Sequence, residues 1–354
     1  MQQTVIVGMS GGVDSSLSAL LLKQAGYRVI GLFMKNWEEE EHLGHCPATQ
    51  DYEDALSVCH QIDIPLYSVN FVEEYWDHVF AKCLKEYELG YTPNPDILCN
   101  REIKFKAFFN KALELGADLV ATGHYCRTLL QGDTWILGRG LDPEKDQSYF
   151  LYTLKASILK KVIFPVGALS KKEVRKLAAQ HALPTSQKKD STGICFIGKR
   201  DFPTFLSTYI RAEPGNFETP DGRVVGQHIG IPFYTIGQRR GLGIGGQGEA
   251  WYVTSKQKER NTIIVVQGEN HPSLFHSTLL ATDVTWVGQP PPFPLKCTAK
   301  IRYRSPDAPC TVNQLESGSL TVTFDQPQKA ITPRQAIVFY AGPTCLGGAL
   351  IAPF

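Results

Sequence analysis

The sequence predicts a parallel α/β domain at the N-terminus, followed by a C-terminal half built mainly from β-strands. The apolar run Val5-Ile6-Val7 leads through a glycine-rich turn into a segment with helical spacing and then a second apolar run, which is the order of a parallel α/β unit. From Pro214 onward, glycine, proline and short alternating runs dominate, which is typical of β-rich modules. The length of 354 residues exceeds that of one simple core and predicts two or three domains.

The elements of the N-terminal half alternate between strand and helix. We predict strands over residues 5–7, 29–34, 65–71 and 118–122, and helices over residues 14–25, 51–62, 73–89, 102–115 and 201–210. Another helix begins at Ser170, because Ser170 and Glu173 form a capping-box pattern. In the C-terminal half we predict strands at Ile301 and Tyr303 and over residues 320–324 and 336–340. These elements place the domains at residues 1–200, 201–272 and 273–354.

The composition is that of a soluble globular protein, with 43% hydrophobic and 20% charged residues. No apolar run approaches the length of a bilayer span, and no basic segment opens the N-terminus, so we expect a cytoplasmic protein without a membrane partner. The nine cysteines are odd in number and widely spaced, which predicts reduced thiols rather than a disulfide framework.

Charge is distributed unevenly although the net charge is only +1. Residues 155–200 carry eleven Lys or Arg and two acidic residues, whereas residues 38–54 carry seven acidic residues and no Lys or Arg. A polyanion would prefer the basic stretch. The alternative is that both stretches are solvated faces of the fold.

A phosphate-binding loop, residues 10–15, is predicted where the first strand meets the first helix. Its sequence is Ser10-Gly11-Gly12-Val13-Asp14-Ser15. Unpaired N–H groups at a helix start attract anions, and the glycine pair lets a phosphate approach the backbone. Asp14 would be an oxygen ligand for the Mg²⁺ that accompanies such a phosphate. The loop has no lysine of the Gly-x-x-x-x-Gly-Lys-Ser/Thr kind, which disfavours a mononucleotide kinase or GTPase. It resembles the PP-loop of ATP pyrophosphatases; the alternative is a tight turn.

Two cysteines are candidates for nucleophilic chemistry. Cys99 precedes the predicted helix at residue 102 and has Lys104 and Lys106 nearby, and a helix N-terminus and cations lower the pKa of a thiol. Cys195 lies between Gly193 and Gly198, after the basic stretch. Taken singly, each cysteine would more often be a small packing residue, as we expect for Cys59, Cys83 and Cys126.

Another group of potential metal ligands lies close together in the sequence and comprises His42, His45, Cys46, Cys59 and His60. It could be interpreted as a metal site. Its spacing fits no standard zinc pattern, so we expect no structural metal.

Six segments resemble the motifs of the tRNA-specific 2-thiouridylase family, in that family's order and spacing, and the resemblance covers essentially the whole chain. They are Gly8 to Ser15, Thr92 to Asn100, Ala121 to Tyr125, Asp146 to Leu151, Ser191 to Ile197 and Tyr234 to Arg239. The resemblance implies an N-terminal PP-loop domain of the adenine-nucleotide α-hydrolase type, a small central β-rich domain and a C-terminal β-barrel.

The resemblance also implies a reaction. The family adenylates the C2 oxygen of the wobble uridine of tRNA with ATP and replaces that oxygen with sulfur. By motif, Cys195 would receive a persulfide from a sulfur-carrier relay, and Cys99 would attack it and form a transient disulfide with Cys195. Whether sulfur then arrives as hydrosulfide or by direct attack of the persulfide stays open. The Cys195 segment would have to fold over the ATP site, which makes it a candidate switch.

Further residues are assigned by the same resemblance. Those implied for ATP are Gly8, Met9, Ser10, Gly11, Gly12, Val13, Asp14, Ser15, Met34 and Gly123; those for the target base are Asn94, Pro95 and Asp96; those for tRNA are His124, Lys145, Asp146, Gln147, Arg302, Tyr303 and Gln335. The expected tRNAs are those that read Lys, Glu and Gln codons. Two alternatives remain: another PP-loop enzyme that needs no cysteine pair, and a non-catalytic RNA-binding module.

Overall fold

The computed structural model describes residues 2–38, 47–190 and 201–353. The strands are β1 (Thr4–Met9), β2 (Arg28–Lys35), β3 (Leu66–Asn70), β4 (Leu119–Ala121), β5 (Cys126–Gln131), β6 (Thr134–Arg139), β7 (Val162–Ile163), β8 (Gly215–Glu218), β9 (Val224–His228), β10 (Trp251–Gln257), β11 (Thr262–Gln267), β12 (Phe275–Trp286), β13 (Leu295–Lys300), β14 (Ala308–Gln314), β15 (Leu320–Lys329), β16 (Ala336–Ala341) and β17 (Thr344–Ile351). No helix in the described ranges is both long and apolar enough to cross a membrane.

The helices are mostly in the N-terminal half. They are α1 (Val13–Gln24), α2 (Pro47–Gln61), α3 (Val72–Tyr75), α4 (Ala81–Glu88), α5 (Pro95–Leu98), α6 (Phe108–Glu114), α7 (Ala156–Leu159), α8 (Lys171–Gln180) and α9 (Phe202–Ser207). A π-helical turn, Trp76–Phe80, joins α3 to α4, and another, Cys99–Ala107, joins α5 to α6. Residues 95–114 therefore run on as one irregular helix, here called the Cys99 helix.

A five-stranded parallel sheet in the order β3-β2-β1-β4-β7 forms the centre of the N-terminal half. The side chains of the central strand β1 point alternately to the two faces of the sheet. Val5 and Val7 therefore pack with α1 on one face, while Ile6 packs with the Cys99 helix on the other. Both faces of the sheet are thus covered, as expected for parallel strands. The strand order reverses at β1, with β2 and β4 on its two sides, and ligands of such sheets bind at the carboxyl ends of the strands at this point.

Two smaller β structures follow. Strands β10-β11-β8-β9 form a four-stranded sheet with its own core around Phe217, Val253 and Val265. Strands β12-β15-β14-β13-β16-β17 are closed into a barrel by the pairing of β12 with β17. The predicted fold class, a parallel α/β domain followed by a small β-rich domain and a β-barrel, is confirmed.

The barrel sheet extends into the N-terminal half. The hairpin of β5 and β6 pairs with β17, with Leu137 opposite Cys345. This hairpin was not predicted from the sequence.

Two local predictions were wrong. The helix expected from residue 102 begins at Pro95, because the Asn94 side chain accepts a hydrogen bond from the Ile97 amide at 3.3 Å and proline suits the first helical position. Ile301 and Tyr303 are not in a strand, since β13 ends at Lys300 and a turn follows.

Candidate active site at the carboxyl ends of the parallel strands

The phosphate-binding loop lies between β1 and α1, at the point where the strand order reverses. Gly12 is the N-cap of α1, and among the described residues no side chain caps the first amides of this helix. Gly11 has a φ of +69°, and a Cβ placed on it would lie 2.2 Å from the Asp51 carbonyl oxygen. The Ser15 hydroxyl accepts a hydrogen bond from the Ser10 amide at 3.2 Å, which closes the loop. Uncapped amides on a tightly packed glycine turn fit a phosphate group.

Three more of the predicted ATP residues lie around the end of β1 and the start of α1. A Cβ on Gly123 would lie 2.7 Å from the Ser15 amide nitrogen, so the end of β4 touches the start of α1. A Cβ on Gly8 would lie 3.6 Å from the Met34 methyl group and 3.3 Å from the ring of Phe108. Because Phe108 belongs to the Cys99 helix, that helix packs against the end of β1, the strand that leads into the ATP loop.

Asp14 is held by two side chains that the motif did not predict. Its Oδ1 accepts a hydrogen bond from the Tyr125 hydroxyl at 2.6 Å, and Lys171 Nζ lies 2.8 Å from both carboxylate oxygens. Burial, and then the neighbouring Asp14 charge, raises the pKa of Tyr125, so this phenol stays a hydrogen-bond donor. Lys171 supplies the cation that the loop itself lacks.

Lys171 also reaches Asp190, at 2.9 Å, and Asp190 is further paired with Lys145 at 2.8 Å and with Arg175 at 2.6 Å. Burial alone would raise the pKa of Asp190, but hydrogen bonds from Lys145 and Lys171 outweigh it and lower the pKa to about 2. Asp190 thus stays ionised at neutral pH and ties the chain to the ATP loop just before residue 191. Cys195 and the rest of residues 191–200 lie outside the described residues.

The basic stretch is partly neutralised by the acidic one. Lys188 Nζ contacts Asp51 at 2.6 Å and Asp54 at 2.5 Å. Both carboxylates lie on α2, which flanks the phosphate-binding loop. The metal interpretation has no structural test, because His42, His45 and Cys46 lie outside the described residues.

Cys99 is fully buried within the Cys99 helix, in a core that also contains Met34, Ile103 and Phe108. The prediction of a thiol at a helix N-terminus was wrong, since the helix begins four residues earlier. Of the two nearby lysines, Lys106 pairs with Glu102 at 2.8 Å. Cys59, Cys83 and Cys126 are also buried, which confirms that they are packing residues.

The loop that precedes the Cys99 helix, residues 89–94, is held by both β structures. Lys256 from β10 donates a hydrogen bond to the Gly90 carbonyl at 2.7 Å, and the Thr235 and Thr92 hydroxyls lie 3.3 Å apart. From the barrel, the Gln335 side-chain amide donates to the Thr92 carbonyl at 2.5 Å. These contacts fix the backbone directly before Asn94, Pro95 and Asp96, the residues predicted to face the target base.

Lys256 as a whole residue is half-buried, but its amine is enclosed where it meets the Gly90 carbonyl. Burial lowers the pKa of its amine to about 7. Arg334, beside Gln335, reinforces the junction with a two-pronged ion pair to Glu86, at 2.9 Å and 2.6 Å.

The predicted tRNA residues near β4 are engaged within the protein. His124 is buried, and its Nδ1 lies 2.8 Å from the Thr122 hydroxyl. Burial, and then the Lys104 charge, lowers the pKa of His124 well below its ordinary value, so the ring is neutral. Asp146 is buried and accepts hydrogen bonds from the Gly140 and Ser148 amides.

The remaining predicted tRNA residues also have partners in the protein. The Gln147 side-chain oxygen accepts from the Tyr125 amide at 2.9 Å. Arg302 donates to the Ile236 carbonyl at 2.6 Å and to the Thr332 hydroxyl at 2.7 Å, which links the central sheet to the barrel. Tyr303 is half-buried against Phe150, with ring centroids 4.5 Å apart. Direct contact of these residues with tRNA therefore stays a prediction.

Four residues of the site were not predicted from the sequence: Lys171, Tyr125, Asp190 and Lys256. Two of them had a usable signal, because the capping box at Ser170 and Glu173 places Lys171 at the first position of α8 and Tyr125 ends one of the six family-like segments. Asp190 and Lys256 reach the site through tertiary packing.

A glycine loop with uncapped amides at the switch point of a parallel sheet, followed by two β domains, defines a nucleotide-binding protein of the PP-loop class. The chain matches three family descriptions in order: a tRNA methyl transferase HUP domain over residues 3–199, a tRNA methyl transferase PRC-barrel domain over residues 203–267 and an aminomethyltransferase β-barrel domain over residues 276–351.

Relatives that span the whole chain give the family. The chain is 58% identical over 351 residues to the tRNA-specific 2-thiouridylase MnmA of Protochlamydia amoebophila, covering 99% of this chain and 93% of the relative. It is 56% identical to that of Alkaliphilus oremlandii, covering 98% and 96%. The chain belongs to the tRNA-specific 2-thiouridylase family, as its motifs predicted.

A solved 4-thiouridine synthetase–RNA complex with bound ATP is similar at a TM-score of 0.35 and 15% identity, covering 58% of this chain and 50% of that one. At this distance the similarity indicates nothing about the function of this chain.

Proposed function

We propose that this protein is an ATP-dependent tRNA sulfurtransferase. It would adenylate the C2 oxygen of the wobble uridine with release of pyrophosphate, and then replace that oxygen with sulfur to give 2-thiouridine and AMP. Its relatives are named tRNA-specific 2-thiouridylases. The observation that carries the proposal is that Phe108 of the Cys99 helix packs over Gly8, near the end of the strand that leads into the ATP loop. This packing places the ATP loop and a helix that carries a thiol at the same end of β1.

The ATP loop would bind the phosphates with the amides at the start of α1, aided by the hydroxyls of Ser10 and Ser15. Met34 and Gly123 would border the adenosine. Lys171 would stabilise the charge that develops on the departing pyrophosphate. Mg²⁺, with Asp14 as its candidate ligand, would neutralise further phosphate charge. Asp14 would have to exchange part of its contact with Lys171 for this role.

The target uridine would lie at Asn94, Pro95 and Asp96, with the Asp96 carboxylate accepting its N3–H. Fixing the backbone of residues 89–94 from two β domains favours a precise position for the base relative to the ATP loop. Adenylation turns a poor leaving group into AMP, so a sulfur nucleophile can displace it.

Sulfur would come from a persulfide on Cys195, delivered by a sulfur-carrier protein or persulfide relay. The Cys99 thiolate would attack the Cys195 sulfur, form a Cys99–Cys195 disulfide and release hydrosulfide, which attacks C2 as AMP leaves. In the alternative route, the outer persulfide sulfur attacks C2 as AMP leaves, and the Cys99 thiolate then attacks the Cys195 sulfur, which releases 2-thiouridine and forms the same disulfide. In both routes an external thiol must reduce the disulfide before the next turnover. Cys99 is buried in this structure, so it would have to become accessible when tRNA binds.

The setting of this activity is also proposed. The tRNA isoacceptors would be those for Lys, Glu and Gln, and the protein would act in the cytoplasm. Residues 1–200 would form the catalytic domain, and residues 201–272 and 273–354 would hold the RNA and brace residues 89–94.

Release of pyrophosphate that depends on tRNA tests the first half-reaction. The protein, ATP and Mg²⁺ would be mixed with tRNA carrying a wobble uridine or with the same tRNA carrying a wobble cytidine. We expect pyrophosphate release with the uridine tRNA in the absence of any sulfur donor. Release that is equal with both tRNAs would contradict adenylation of the wobble base.

A further inference from the structure

A second pair of cysteines lies in the β-barrel, away from the proposed active site. Cys297 on β13 and Cys310 on β14 are directly opposite each other in the antiparallel pairing. Their sulfur atoms are 3.7 Å apart, and both are free thiols. No sequence motif surrounds either residue, and the barrel register alone brings them together.

The backbone geometry is suitable for a covalent bond. Directly opposite residues of antiparallel strands have Cα atoms about 4.5–5.5 Å apart, and disulfides span Cα separations of about 4.4–6.8 Å. The two side chains lie on the same face of the sheet, because residues opposite each other share a face. Closing the gap between the sulfur atoms therefore requires side-chain rotation without a shift of either strand.

The two thiols differ in access and acidity. Cys297 is half-buried, whereas Cys310 is 3% exposed and belongs to the barrel core. The hydrogen bond between them lowers the pKa of Cys297, although burial acts in the opposite direction. The same hydrogen bond, together with burial, raises the pKa of Cys310. Cys297 is thus the thiol that a reagent reaches first and the better nucleophile.

We propose that Cys297 and Cys310 form a reversible dithiol–disulfide site whose oxidant is a low-molecular-weight disulfide. The Cys297 thiolate attacks one sulfur of that disulfide, which gives a mixed disulfide and releases one small thiol. The Cys310 thiol then loses its proton and attacks the Cys297 sulfur, which releases the second small thiol. Two electrons and two protons leave the protein, and the oxidant is reduced to two thiols.

The disulfide would close a ring around the tip of the β13–β14 hairpin. This tip carries Arg302, which bonds Ile236 of the central domain and Thr332, and Asp307, which pairs with Arg139 at 2.8 Å. Oxidation would therefore restrain the β13–β14 hairpin of the barrel where it contacts the two other domains. The site does not depend on the proposed sulfurtransferase activity.

Peptide mapping of the full-length protein tests the proposal. The protein would be incubated with oxidised glutathione, its remaining thiols alkylated, and its proteolytic peptides examined by mass spectrometry. We expect a cross-linked peptide pair that contains Cys297 and Cys310, is lighter by two hydrogen atoms than the two thiol peptides and disappears after reduction with dithiothreitol. Mapping separates this bond from a Cys99–Cys195 disulfide.

Variants provide the controls. Cys297→Ser should abolish the cross-link and leave Cys310 alkylated, whereas Cys345→Ala, in the same barrel, should leave the cross-link unchanged. The proposal is overturned if the wild-type protein shows Cys297 and Cys310 both alkylated, or carrying glutathione separately, after prolonged oxidation. Because the wild-type chain alone decides between these results, a variant that fails to fold does not affect the test.

Discussion

Asp14 and Asp190 are bound to the same ammonium group, that of Lys171, which lies 2.8 Å from the first carboxylate and 2.9 Å from the second. Asp14 belongs to the ATP loop, and Asp190 is the last described residue before the segment that contains Cys195. One side chain thus connects the proposed site of adenylation to the chain that would deliver sulfur. If bound phosphates displace Lys171 from Asp14, the ion pair between Lys171 and Asp190 would change as well.

Replacing Lys171 should therefore impair adenylation more than tRNA binding. We expect Lys171→Met to slow tRNA-dependent pyrophosphate release by about a hundredfold, because a charge that stabilises the transition state is lost. Lys171→Arg should retain more activity. The neighbouring Lys172→Met is the matched control, since Lys172 is exposed. Wild-type rates of pyrophosphate release in Lys171→Met would exclude the proposed role.

The two loop glycines should respond differently to substitution. Gly11→Ala forces a Cβ to within 2.2 Å of the Asp51 carbonyl at a positive φ, whereas a Cβ on Gly12 has the Ser10 hydroxyl at 3.4 Å as its nearest neighbour. We expect Gly11→Ala to weaken ATP binding, measured by calorimetry, and to lower the thermal midpoint of unfolding. Gly12→Ala should keep the wild-type midpoint. Equal midpoints for both variants would contradict the described loop geometry.

Lys256 should make stability depend on pH. Its pKa is about 7 in the folded protein and about 10.5 when unfolded, so the unfolded chain binds more protons between these values. Stability from this group is accordingly full above pH 10.5 and is lost as the pH falls towards 7. Urea midpoints should rise from pH 7 to pH 9 in the wild type and rise less in Lys256→Met.

The exposed Lys258 provides the matched variant for this experiment. Lys258→Met should reproduce the wild-type pH dependence. If Lys256→Met does so as well, the amine is not buried as described.

Gln335 allows a structural role to be separated from direct RNA contact. Because its side chain holds the Thr92 carbonyl, Gln335→Ala should lower the kcat of thiolation about tenfold while the Kd for tRNA stays nearly constant. Gln326→Ala, on an exposed part of β15, should change neither. A weaker Kd with unchanged kcat would instead support the predicted contact of Gln335 with tRNA.

The parts of the site that were predictable from sequence are those encoded by neighbouring residues. The loop from Ser10 to Ser15 and the cap at Ser170 are local patterns, and the structure places them as expected. The start of the Cys99 helix is also encoded locally, at Pro95, although the predicted helix began only at residue 102. Asn94 followed by Pro95 is in fact a strong N-terminal helix signal.

The features that could not be predicted depend on register and long-range pairing. The β5–β6 hairpin pairs with β17, some two hundred positions later in the chain, and no local sequence pattern indicates this pairing. The Cys297–Cys310 contact exists only because β13 and β14 pair in one register, and a slip of one residue would separate the two sulfurs. The burial of Cys99 likewise follows from tertiary packing.

The most direct test measures nucleosides by mass spectrometry after reaction of the protein with ATP, Mg²⁺, a wobble-uridine tRNA and a persulfide donor. We predict that the wild type and Cys59→Ala each form 2-thiouridine and AMP in equal amounts. We predict no 2-thiouridine from Cys99→Ser or Cys195→Ser, although both should still release pyrophosphate. ATP turnover without 2-thiouridine in the wild type, or wild-type levels of 2-thiouridine in either of these two variants, would contradict the proposed sulfur transfer through two thiols.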